Sequence, residues 1–159
     1  MARWPRIRPY LEGTNVLRER IETAIAPRHA LHAHCDIPCG IYDPSIAEYG
    51  ARSVARMVEL MNQNLGDDPT QRNQFIRMVE VKEKYAESVK HEVRVIWGDY
   101  FKPEHVAKYP QLHDLVWRIM KQASKCKQTV DAQAAADLLA LVKEFADIFW
   151  ETKGGRPTA

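Results

Sequence analysis

His34-Cys35-Asp36-Ile37-Pro38-Cys39-Gly40-Ile41-Tyr42-Asp43-Pro44 is the stretch on which the reading of this chain turns. Asp43-Pro44 predicts the start of a helix, because an aspartate side chain accepts from the first free amides and a proline at the first helical position gives up no hydrogen bond. The six residues from His34 place two thiols, separated by three residues, beside an imidazole, with His32 just ahead. Thiolate and imidazole are donors that transition metals prefer. The third cysteine, Cys126, lies far downstream. Three cysteines cannot all pair, and a reducing compartment keeps thiols free, so metal binding or redox chemistry is favoured over a stabilising disulfide.

Downstream of Pro44, Ile46, Tyr49, Ser53, Met57, Leu60 and Met61 mark one helical face as far as about Leu65. Asp68-Pro69 repeats the start signal, and Phe75, Met78, Val79, Tyr85, Val89, Val93 and Ile96 carry a long second helix towards Trp97. Gly98 to Tyr109 reads as an irregular, aromatic-rich connection. Pro110 then opens a third helix bearing Leu112, Leu115, Val116, Ile119, Met120 and Ala123. A fourth runs from about Val130 to Trp150 on Leu138, Leu141, Val142, Phe145, Ile148 and Phe149. With no alternating strand pattern, the fold class is all-α: an antiparallel up-down-up-down four-helix bundle over 44–153. Gly154, Gly155 and Pro157 predict a frayed tail over 154–159. Upstream, a short helix is expected from Asn15 to Ile25, ended by Pro27, and Arg28 to Tyr42 reads as loop.

The 159 residues, 45% hydrophobic and 28% charged, suffice for one buried core. No run approaches the roughly 18 apolar residues of a membrane span, and the N-terminus lacks the stretch of about 7 to 15 that a secretory signal requires. The expectation is a cytoplasmic protein with no membrane partner. Six of the arginines and three of the glutamates fall in residues 1–33, leaving 17 basic and 18 acidic side chains for the remainder. The arginine-bearing segment differs in kind from the body. The body is not basic and no recognition motif follows, so nucleic acid is not expected as a partner.

Residue types alone leave the metal open. His32, His34, Cys35 and Cys39 compose a zinc set, though so crowded a tetrahedron is strained. Alternatively, if His34 were the first residue, its amine, the next peptide nitrogen and the thiolates would make a flat nitrogen and sulfur chelate suited to Ni(II) or Cu(II).

The stretch from His34 to Pro44 closely resembles the hook of the nickel-containing superoxide dismutases, whose pattern is His-Cys-Asp-x-Pro-Cys-Gly-x-Tyr-Asp-Pro. Further matching blocks are Trp97-Gly98-Asp99-Tyr100-Phe101-Lys102-Pro103, Lys108-Tyr109-Pro110-Gln111-Leu112-His113 and Ile148-Phe149-Trp150-Glu151-Thr152-Lys153, so the resemblance spans 34–153. It implies a leader over 1–33, removed by a protease between Ala33 and His34, and a nickel hook over 34–43. One nickel ion per chain would be held by the His34 amine, the Cys35 amide nitrogen and the Cys35 and Cys39 thiolates, with the His34 imidazole axial in the oxidised state. The implied reaction is disproportionation of superoxide to dioxygen and hydrogen peroxide by Ni(II)/Ni(III) cycling, in a homohexamer. Tyr42 and Tyr100 match positions that flank the metal's access route, and Asp36 is expected to brace the hook.

There are departures. Counting without gaps from the hook, the family's glutamate that supports the axial histidine falls at Gly50; counting back from Trp97, its arginine partner falls at Tyr85. Both charges are missing. His29 and His32 belong to the inferred leader, His91, His105 and His113 have no ligand-like spacing, and Cys126 reads as a small apolar filler. The competing expectation is a non-catalytic zinc- or nickel-binding helical protein that needs no cleavage; a third is a purely structural bundle.

Overall fold

A computed structural model describes residues 40–63 and 66–157, and the chain divides into units 1–33 and 34–159. The expected helix at Asn15–Ile25 lies outside the described residues. Within the second unit, α1 spans Ser45–Asn62, α2 Pro69–Val95, α3 Pro103–Lys108, α4 Leu112–Gln128 and α5 Ala132–Thr152. Helices α1, α2, α4 and α5 form a ring of packed neighbours, α1 on α2 and α5, α4 on α2 and α5, which is the expected four-helix bundle.

Both aspartate-proline pairs perform the expected task. Asp68 accepts from Thr70 N at 2.8 Å and Gln71 N at 3.1 Å, with Pro69 at the first helical position. Asp43 accepts from Ser45 N at 2.7 Å, so α1 starts one residue after Pro44. Asp131 caps α5 in the same way, through Gln133 N and Ala134 N.

The stripes expected for α4 and α5 are buried, except that Met120 is only partly so. That of α1 is out of phase. Its buried residues are Ala47, Gly50, Ala51, Val54, Val58 and Met61, whereas Tyr49 is exposed and Ile46, Met57 and Leu60 flank the seam. The cause is close approach: a Cβ at Gly50 would lie 2.9 Å from Val89 Cγ2 and 3.2 Å from the Tyr85 carbonyl oxygen, so small residues mark the contact line. In α2, Phe75 and Ile76 are exposed and full burial begins only at Lys82. This helix has 27 residues against 18 in α1. At about 1.5 Å per residue its first turns overhang the partner.

The connection expected to be irregular is ordered. Ile96–Tyr100 forms a π-helical turn, with Phe101 N donating to Ile96 O at 3.4 Å, and α3 follows. The third long helix accordingly begins at Leu112, after a turn through Tyr109, Pro110 and Gln111. At the C-terminus, residues 154–156 are tied back rather than frayed. Gly155 N donates to Trp150 O at 2.8 Å, because Gly154 and Gly155 adopt φ of +91° and +127°, which turn the chain over the end of α5.

Candidate metal centre

His34, Cys35, Asp36 and Cys39 lie outside the described residues. The described stem begins at Gly40, whose φ of +73° is the left-handed conformation that glycine adopts without strain; a Cβ there would meet nothing within 4 Å, so backbone geometry rather than crowding selects it. Ile41 is exposed, and the next residue, Tyr42, is half-buried with its ring centroid 5.7 Å from that of Tyr100. Two tyrosines nearly sixty residues apart in sequence, both singled out from the sequence, are thus brought together.

Tyr100 is placed by the π-helical turn, a widened coil often found at functional sites. Its ring packs on Phe149 at 4.6 Å and Phe101 at 5.2 Å, stacks on the His105 imidazole at 5.5 Å, and lies under the Lys153 ammonium at 4.9 Å. Its phenol oxygen is 2.7 Å from Thr152 Oγ1, and the Thr152 hydroxyl donates to Phe149 O at 2.6 Å. A hydroxyl has one proton to give. Tyr100 is therefore the donor to Thr152, and its oxygen keeps its remaining acceptor capacity. Thr152, His105 and Lys153 were not singled out from the sequence; Thr152 and Lys153 fall in a quoted matching block, which was the available signal.

Nearby, Tyr109 donates to Glu151 Oε2 at 2.7 Å with the Lys108 ammonium 5.0 Å from its ring centroid. Trp97 Nε1 donates to His113 Nδ1 at 2.9 Å, which gives that histidine a packing role. Among the described residues, no three His, Cys, Asp or Glu side chains group closely enough to hold a metal. Cys126 is buried, donates to Ala134 O at 3.3 Å, and has its thiol pushed up to about 11 by burial, so it is an inert filler at neutral pH.

Gly50 and Tyr85, where the two charges are missing, face each other across the α1 and α2 seam. The space is filled by Val89 and by backbone, leaving no room for a carboxylate on α1 at that point. Tyr85 turns instead to Tyr49, its ring edge-on at 5.6 Å. The carboxylate of Glu48, largely withdrawn from water, pairs with Arg156 at 2.9 Å.

Residues 29–153 match the family model of nickel-containing superoxide dismutase. The chain is 44% identical over 128 residues to the nickel superoxide dismutase of Streptomyces coelicolor and 42% identical to that of Streptomyces seoulensis, in each case over 80% of this chain and 94% of the relative. A native nickel superoxide dismutase structure superposes with a TM-score of 0.68 at 44% identity, over 76% of this chain and 99% of the other. One recorded in the oxidised state of nickel ligation gives 0.69 at 42% identity, over 77% and 100%. With the match running from ahead of the cysteine pair to the end of α5, the chain belongs to the nickel-containing superoxide dismutase family.

Proposed function

We propose that this protein disproportionates superoxide to dioxygen and hydrogen peroxide, using one nickel ion per chain held by His34, Cys35 and Cys39. The observation that carries the reading is that the family match runs through this donor stretch and that Tyr42, three residues beyond Cys39, meets Tyr100 in the fold. The donors would suit the metal: two thiolates and two backbone nitrogens form a flat, strongly donating set of the kind Ni(II) prefers, and the His34 imidazole is a further donor. Nickel, when bound, supplies the one-electron Ni(II)/Ni(III) couple.

The chain's own residues supply the rest. Cleavage between Ala33 and His34 frees the amine that completes the donor set, so residues 1–33 are a leader and 34–43 the hook. Asp36 braces the hook. The Tyr42 and Tyr100 phenols border the approach: the Tyr42 phenol orients an anion or water by hydrogen bonding, and the Tyr100 oxygen, its proton given to Thr152, accepts from a water. Tyr100 is the more constrained of the two, since Thr152 holds its proton and four neighbouring groups fix its ring. The Lys153 ammonium beside that ring draws a small anion towards the same point. Superoxide is the substrate, and two protons per pair of superoxide ions complete the hydrogen peroxide. A processing protease and assembly into a homohexamer complete the reading, with a cytoplasmic location; no helix among the described residues is long and apolar enough to cross a membrane.

The test compares nickel-loaded full-length chain with nickel-loaded chain beginning at His34, by direct measurement of superoxide decay. Activity confined to the shortened chain, with one nickel bound per chain, is the expected result. Equal activity from the uncut chain, whose position-34 nitrogen is an amide, would overturn it.

A further inference from the structure

The family match ends at Lys153, yet the chain continues into an ordered contact three residues later. The two left-handed glycines, Gly154 and Gly155, fold the tail back so that Arg156 Nη2 lies 2.9 Å from Glu48 Oε1 in the first turn of α1 and 3.9 Å from Asp147 Oδ1 on α5. Asp43, at the foot of the hook stem, adds its charge to the same guanidinium. Three carboxylates from three segments thus converge on one cation. Without it, Glu48 loses the cation it pairs with. The Glu48 side chain is only 13% exposed, so its charge has little water to replace the lost partner.

We propose that Arg156 is a positioning residue: it clamps the C-terminal turn to the first turn of α1, and so holds the Gly40–Asp43 stem with Tyr42 against Tyr100. A wholly exposed ion pair would do little. This one differs because its acid is mostly buried and because the segments it joins flank the two tyrosines: Tyr42 lies just ahead of α1, and Tyr100 is held by Phe149, Thr152 and Lys153 at the end of α5. The clamp acts on a metal only through the stem, so this inference rests on the proposed function for its effect on nickel, but its effect on the tyrosine pair stands alone.

Two readouts keep these apart. In metal-free full-length protein, nuclear Overhauser contacts between the Tyr42 and Tyr100 rings should be clear in the wild type, weakened in Arg156→Ala and in a chain truncated after Lys153, and restored by Arg156→Lys. In nickel-loaded protein beginning at His34, release of nickel to excess EDTA should accelerate about tenfold in Arg156→Ala, the scale on which groups supporting a metal site act, and return most of the way in Arg156→Lys. Circular dichroism should show the same helix content throughout. Unchanged ring contacts in Arg156→Ala overturn the clamp, as does rescue by Arg156→Gln, which lacks the charge. Failure of the wild type itself to bind nickel would instead overturn the proposed function, leaving the ring contacts to decide the clamp.

Discussion

The two ends of α5, about 30 Å apart at the usual helical rise, handle polar groups in opposite ways. At the N-terminal end Lys82, almost wholly buried, donates to the carbonyls of Cys126, Lys127 and Thr129 and so caps the end of α4. Burial lowers its ammonium from the ordinary value, while Glu83 at 4.0 Å and Cys126 pull it back. Among the described residues, no buried side-chain nitrogen or oxygen at that end lacks a partner. The C-terminal end is built from rings, a π-helical turn and ion pairs reaching in from the tail, and it leaves Trp150 Nε1 buried without a partner. One end locks the bundle. The other holds the residues that border the proposed site, and its ion pairs are open to adjustment.

The largest effect should come from breaking the locked end. Lys82→Met removes the ammonium that donates to one buried and two half-buried carbonyls at once, and we expect a loss of about 3 kcal/mol in urea unfolding. A loss under about 1 kcal/mol would mean that the capping geometry carries little stability. Next is the seam between the ends. Gly50→Glu restores the family's carboxylate where Val89 and the Tyr85 carbonyl already fill the space, and should cost about 2 to 3 kcal/mol. An unchanged melting temperature would show that the two helices separate there without strain.

The third effect depends on pH. The Cys126 thiol is raised from 9.0 to about 11, first by burial, so the stability it contributes is present below pH 9 and lost as pH rises towards 11. Wild-type protein should therefore lose on the order of 2 kcal/mol more than Cys126→Ala across that range. Lys82 is coupled to this thiol, so the difference between the two proteins reports the thiol together with its effect on Lys82. Parallel curves would show that the thiol is not desolvated.

Much of this was legible in the sequence, for local reasons. Asp43-Pro44 and Asp68-Pro69 announce helix starts because capping is decided by the capping residue and its next few amides, and the α5 stripe is visible because its apolar residues are large. The phase of α1 was not, because its contact line is made of Gly50 and alanines, which carry little hydropathy, while larger Ile46, Met57 and Leu60 lie to the side. The overhang of α2 depends on the length of its neighbour. Lys82 reads as a solvated charge until three carbonyls more than forty residues away are brought to it. At the candidate site, His34, Cys35, Cys39 and the two tyrosines stand out as residue types in a pattern, and the fold brings Tyr42 to Tyr100. The partners that fix Tyr100, and the return of Arg156 to Glu48, depend on contacts across the bundle that no local spacing encodes.

The central claim is that a freed amine at His34 completes a nickel site. Intact mass and metal content of the protein purified from its own host test it most directly. The account predicts a chain starting at His34 that carries one nickel; a chain still starting at Met1 that nevertheless consumes superoxide would contradict it.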